Sequence, residues 1–168
     1  MPDDVLPFAR PTYRLGDLDL GPLGDDLASI AERLTGLGPW GAAGIAPEKM
    51  RERLSKPMAA TFRFALRRAG VPVGCVVIRH PFMRGPYVEL VAVFPEAQRQ
   101  GLLARVIDWM AEEVKGESAN LWLCVTETNA PARAAYAALG FVAIGPAPDL
   151  SRLGQTEILM RKMLGPPI

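Results

Sequence analysis

From Thr61 the chain alternates: Phe62, Phe64 and Leu66 are apolar, with Arg63, Ala65 and Arg67 between them. A period of two predicts a strand with one buried face. Gly70 and Pro72 mark a turn, and Val73–Ile78 follows as a second strand, so the pair predicts an antiparallel hairpin. His80-Pro81 to Gly85-Pro86 is expected to be a further turn region. Tyr87–Phe94 is almost wholly apolar, which predicts a strand covered on both faces.

After Gly101 the period changes. Leu102, Leu103, Val106, Ile107, Met110 and Val114 share one face of a helix, with Arg105, Asp108, Glu112 and Lys115 opposite. Gly116 ends it. Leu121–Val125 reads as a buried strand, Ala130–Leu139 as a helix closed by Gly140, and Phe141–Ile144 and Glu157–Lys162 as two last strands. Earlier in the chain, Pro11–Leu20 supplies a first short strand. Leu27, Ile30, Ala31 and Leu34 then keep helical spacing behind the acidic Asp25 and Asp26. The run Gly36-Leu37-Gly38-Pro39-Trp40-Gly41 breaks that helix, and Pro47 opens a second short one. The predicted order is β-α-α-β-β-β-α-β-α-β-β, a mixed α/β chain with one strand–helix–strand crossover in its second half.

Composition narrows the function classes. The 168 residues suggest one domain, 1–168, large enough to bury most of its apolar surface. A net charge of +1 leaves no basic field for nucleic acid. No apolar run approaches the roughly 18 residues that cross a bilayer. The start, MPDDVLPFARP, is acidic and proline-broken, unlike a signal peptide. The two cysteines, Cys75 and Cys124, lie in apolar runs and form no Cys-x-x-Cys pair. They read as buried free thiols, which fits a reducing compartment, and a cytoplasmic protein is expected. No His, Cys, Asp or Glu group has metal-ligand spacing, so no metal is expected.

Two segments carry chemistry. In Val93-Phe-Pro-Glu-Ala-Gln-Arg-Gln-Gly-Leu-Leu-Ala104 a buried strand runs through a short loop into a helix start. Such a start leaves N–H groups unpaired at the positive end of the helix dipole and suits a phosphate. Gly101 lacks a Cβ and would let the phosphate approach the backbone. The plainer reading of this stretch alone is an ordinary strand–helix connection. In Asn129-Ala-Pro-Ala-Arg-Ala-Ala-Tyr-Ala-Ala-Leu-Gly-Phe141, Asn129 is a candidate helix cap. The alanines make a slim helix around one phenol, Tyr136, which reads either as a core residue or as part of a ligand surface.

Together and in this order, the two segments resemble the motifs of the GNAT acetyltransferase superfamily over about Phe62 to Leu164. The first resembles its acetyl-CoA signature, the second its Asn- and Tyr-bearing motif, and Glu157–Lys162 its last strand. Leu103 departs from the family's usual Gly or Ala and leaves less room at one pyrophosphate contact. The resemblance implies a central mixed, mostly antiparallel sheet flanked by helices. It implies that the loop of Arg99, Gln100, Gly101, Leu102, Leu103 and Ala104 cradles the pyrophosphate of acetyl-CoA, with Gln98 beside it among the cofactor-binding residues. The backbone of Ala92 and Val93 would hold the acetyl carbonyl and pantetheine, and Asn129 the pantetheine arm or its thioester end. Tyr136 would stand near the sulfur, and Leu23–Lys56, with Trp40, would line the acceptor side.

The implied reaction is transfer of the acetyl group to an amine, either a small molecule or a peptide or protein N-terminus. An alkylammonium with a pKa near 10.4 is neutral in fewer than about one molecule in a thousand at pH 7, so a base helps. Glu89 is the one charge within Tyr87–Phe94. Alternation puts it on the face of Val91 and Val93, either as a base working through a water or as an ion-paired surface charge. Tyr136 is the candidate acid for the departing thiolate. His80 reads as a surface residue. A non-catalytic acyl-CoA sensor is the alternative function, and an edge strand near the C-terminus could support a homodimer.

Overall fold

In a computed structural model, residues 6–167 are described. Residues 1–5, the beginning of the acidic stretch weighed above as a leader, lie outside them. The chain forms β1 (Tyr13–Leu15), β2 (Leu18–Gly21), α1 (Leu27–Thr35), α2 (Gly38–Ala42), α3 (Pro47–Ser55), β3 (Thr61–Arg68), β4 (Val71–Phe82) and β5 (Gly85–Val93). It continues with α4 (Leu102–Glu113), β6 (Asn120–Thr126), α5 (Ala130–Ala138), β7 (Val142–Pro148) and β8 (Thr156–Met163). The strands form one eight-stranded sheet in the order β1-β2-β3-β4-β5-β6-β8-β7. Every neighbouring pair is antiparallel except β5 and β6. The expected mixed, mostly antiparallel sheet with flanking helices is therefore what the chain builds.

Each sheet face has its own core. Ile30, Ala31 and Leu34 of α1 and Met50 and Leu54 of α3 pack with Ala65, Cys75, Val77, Leu90 and Ala92 on one face. Leu102, Val106, Ile107 and Met110 of α4 pack on the other with Phe64, Val76, Ile78 and Val88. Those four α4 side chains are at most 1% exposed. Burial of each stabilises the fold by roughly 1.5–3 kcal/mol.

The structure differs from the sequence expectation in three places. The first strand is a hairpin, because Gly16 at φ +68° turns the chain between β1 and β2. The Gly-Pro-Trp-Gly breaker does end α1, yet it contains the five-residue α2, opened by Pro39 at a position where a missing N–H costs nothing. His80-Pro81 lies inside β4 rather than in a turn. The reversal is made by Met83 and Arg84, both at positive φ, as a tight hairpin requires. His80 is half-buried, edge-on to Phe8 at 5.6 Å between ring centres.

Candidate active site

Parallel pairing between β5 and β6 is brief. Tyr87 faces Trp122 and Val88 faces Leu123, and no pair follows, although β5 runs on to Val93 and β6 to Thr126. The two strands part, and β5 from Glu89 onward has no strand on that side. Its other side stays paired with β4. Phe94 donates to the Val73 carbonyl at 2.8 Å, with Gly74 opposite Val93 and Cys75 opposite Ala92. In an antiparallel ladder alternate residues bond outward. The peptide groups of Val91 and Val93 thus face the opening, while the Ala92 carbonyl lies against Gly74 of β4. Of the two expected backbone contacts, Val93 faces the opening and Ala92 does not. Val91 had not been singled out. The ladder phase needed to find it depends on a bulge that the sequence does not announce.

That bulge is at Glu89. Val77 pairs with Leu90, but Ile78 pairs with Val88, so Glu89 is the extra residue. Val88 and Leu90 consequently sit in opposite cores, although residues two apart normally share a face. Alternation had put Glu89 with Val91 and Val93. Instead its carboxylate meets Arg79 at 2.9 Å and Arg53 of α3 at 3.4 Å, on the face covered by α1 and α3. Both oxygens carry a guanidinium. One of the basic residues of α3 thereby reaches the site.

At the far end of β5 the chain enters the loop before α4. Arg99 at φ +61° and Gly101 at φ +77° are both left-handed. Among the described residues no side chain caps α4, and the N–H groups of Leu102, Leu103 and Ala104 have no side-chain acceptor there. The loop braces itself: Gln98 donates to the Val93 carbonyl at 2.9 Å and Gln100 to the Glu96 carbonyl at 3.1 Å. Arg33 of α1 holds Glu96 at 2.6 Å. A Cβ on Gly101 would meet nothing within 4 Å, so the approach to these N–H groups is open. Leu102 is buried and Leu103 packs against the α4-side core. The Leu103 side chain therefore points away from the approach it seemed to crowd.

On the other side of the opening, Asn129 caps α5 by accepting from the Ala132 N–H at 3.3 Å, and among the described residues its amide nitrogen has no acceptor. Tyr136 packs against the α4-side core, its ring 5.8 Å from Phe141 at 68°. Among the described residues its hydroxyl has no hydrogen-bond partner. Burial pushes its pKa up to about 12, so the phenol keeps its proton at neutral pH. Cys75 is a fully buried thiol, pushed up to about 12 by the same cause. Cys124 is half-buried, and burial pushes its thiol up as well. A shallow hollow of about 550 Å³ at the β1–β2 edge, lined in part by Thr12 and Arg67, lies apart from the opening. Among the described residues no acidic, His or Cys group is arranged to hold a metal, and no helix is long and apolar enough to cross a membrane.

The arrangement joins a helix start open to phosphate, a strand with free peptide groups, and a protonated phenol. It suits a long phosphorylated ligand threaded between β5 and β6. The family model described as acetyltransferase (GNAT) family matches residues 32–141. No curated protein matches in sequence. Among solved structures, nourseothricin acetyltransferase is 26% identical over 64% of this chain and 67% of its own, with a TM-score of 0.57. The ribosomal-protein-S18-alanine N-acetyltransferase of Escherichia coli is 23% identical over 88% and 94%, at 0.63. A spermidine N-acetyltransferase chimera from Vibrio cholerae and hSSAT is 20% identical over 89% and 96%, at 0.71. The last two likenesses concern the fold alone.

Proposed function

This chain belongs to the acetyltransferase (GNAT) family, and we propose that it moves the acetyl group of acetyl-CoA directly onto the amine of a small molecule or of a peptide or protein N-terminus. The observation that carries the proposal is the parting of β5 from β6 between the open start of α4 and Tyr136.

The pyrophosphate sits over the N–H groups of Leu102, Leu103 and Ala104, with Arg99 and Gly101 shaping the loop. This needs no basic cluster, because the helix start supplies the positive end. Pantetheine lies in the opening, bonded like a short strand to the peptide groups of Val91 and Val93. The Gln98 amide, now on the Val93 carbonyl, yields that position. Asn129 donates its amide to a pantetheine carbonyl. The thioester then lies between the two sheet faces, with Tyr136 towards the sulfur and the acceptor entering from the α1–α3 face. Glu89, held by Arg53 and Arg79, takes the amine proton directly or through a water. The amine attacks the thioester carbon, the C–S bond breaks, and Tyr136 protonates the departing thiolate. Orientation of the two reactants supplies the remaining rate.

The test is an acetyl-CoA assay against a panel of amines, amino acids and peptides. The expected result is acetylation of at least one primary amine. Binding of acetyl-CoA with no transfer to any acceptor would instead support a sensor. Self-association through the free edge of β7 belongs to the same proposal, supported by the exposed Val142 and Ile144 on that strand. Light scattering decides it.

A further inference from the structure

The α1–α3 face of the sheet carries a second carboxylate. Ile158 and Met160 of β8 point into the α4-side core, so Glu157 and Leu159 point the other way. Register places Glu157 opposite Thr126 and Leu159 opposite Cys124. Val88 is in the α4-side core, so its neighbour Tyr87 shares the face of Cys124 and Glu157. Glu157 therefore flanks the end of β6 where the opening lies, on the side from which the acceptor enters.

Its surroundings differ from those of Glu89. Glu157 is 7% exposed. Gln155 donates to its Oε1 at 2.6 Å, Ser151 at 2.8 Å and Thr126 at 3.2 Å. All three are neutral donors, and all converge on one oxygen. Among the described residues Oε2 has no hydrogen-bond partner, and no Lys or Arg forms an ion pair with the group. Glu89 has two guanidinium partners; Glu157 has none.

A buried charge is expensive unless it is paired. Three neutral donors on one oxygen do not require a charge, because a glutamine at 157 could accept all three. What the carboxylate adds is negative potential on Oε2. Burial chiefly, and this carboxylate to a lesser degree, disfavour ionisation of the adjacent Tyr87 phenol and Cys124 thiol.

We infer that Glu157 is the counter-charge that binds the ammonium of a cationic acceptor, with Oε2 as the contacting atom. The inference rests on the acetyl-transfer reading above and narrows its acceptor to amines that arrive protonated. Thr126, Ser151 and Gln155 orient the carboxylate. The bound ammonium surrenders its proton only on reaching Glu89, whose charge the two arginines already balance. The acceptor thus meets one carboxylate that attracts it and another that deprotonates it.

The test begins with the wild-type enzyme and its best acceptor from the amine panel. Glu157→Gln keeps the Oε1 acceptor and the side-chain shape. The expected result is a rise of about tenfold or more in KM for the amine, the scale of one lost charged hydrogen bond, with KM for acetyl-CoA and the melting temperature near wild type. An unchanged amine KM in a folded variant overturns the inference and leaves acetyl transfer standing. No transfer and no CoA binding by wild type would sink both. A second measurement needs no variant. CoA-saturated wild type is titrated calorimetrically with benzylammonium and with benzyl alcohol, its neutral isostere. Preference for the cation by about tenfold is expected, and equal binding refutes the counter-charge.

Discussion

Replacing Tyr136 by phenylalanine removes one atom whose consequences for fold and catalysis can be separated. The ring and its packing on Phe141 remain, and the lost hydroxyl has no partner among the described residues. Stability at pH 7 should therefore change by less than about 1 kcal/mol. Catalysis should change more. Thiols ionise near pH 8.5, so a thiolate is a tolerable leaving group, and the acid's help falls at the low end of the general-acid range. We expect kcat to drop by about 10²-fold, or about 2.7 kcal/mol of barrier. KM for acetyl-CoA should stay within about twofold. Because burial holds the phenol proton to about pH 12, the ratio of wild type to variant should stay flat from pH 6 to 10. The assay is thiol release from acetyl-CoA across that range. The same shift has a sign for stability. Below pH 10 the phenol is protonated both folded and unfolded, and its contribution is constant. From pH 10 to 12 the unfolded chain releases the proton first, so stability falls, by at most roughly 2–3 kcal/mol from this group. The variant should lack that share of the alkaline loss. Equal kcat for the two proteins at every pH would remove Tyr136 from the acid's role.

Three further substitutions probe the opening. Gly74→Ala would place a Cβ 2.1 Å from the Ala92 carbonyl oxygen, so β4 and β5 must separate beside the site. Chemical denaturation should show a loss of about 3 kcal/mol or more, and an unchanged midpoint would refute this. Gly101→Ala strains a residue at φ +77° by about 1–2 kcal/mol and sets a methyl over the open N–H groups, so acetyl-CoA affinity by calorimetry should fall about tenfold. Wild-type affinity would mean the phosphate binds elsewhere. Glu89→Gln should lower kcat by about 10²-fold without changing acetyl-CoA affinity. Full turnover in that variant would reduce Glu89 to an ion-pair partner of Arg53 and Arg79.

The elements governed by simple periods were legible in advance. Phe62, Phe64 and Leu66 marked β3, and the spacing from Leu102 to Val114 marked α4, because repeated burial on one face leaves a repeated pattern. The loop at Gly101 and the helix of Tyr136 were readable for a related reason: glycine, proline and asparagine have few places where they fit. Strand limits were less legible. His80-Pro81 looked like a turn because proline usually interrupts strands, whereas here β4 carries it near its end, past most of the ladder. The three donors around Glu157 could not be read either, since Thr126, Ser151 and Gln155 meet only through the β7–β8 turn.

Glu89 shows why strict alternation misassigned one residue and why that residue matters. A single extra position in β5 turns Leu90 and Ala92 into the α1–α3 core and leaves Val91 and Val93 against α4. The same insertion leaves Glu89 on the α1–α3 face beside Arg53 and Arg79. It also sits directly after Val88, the last residue of β5 paired with β6. A bulge bends and twists its strand. One local irregularity thus accounts for where the parallel ladder stops, which peptide groups face the opening, and which face Glu89 occupies. Tyr136 on the opposite face then follows from the crossover through α4 and α5. In the proposed mechanism the acid and the base reach the thioester from two sides of the sheet, so proton delivery to sulfur and proton removal from the amine need not compete for the same space.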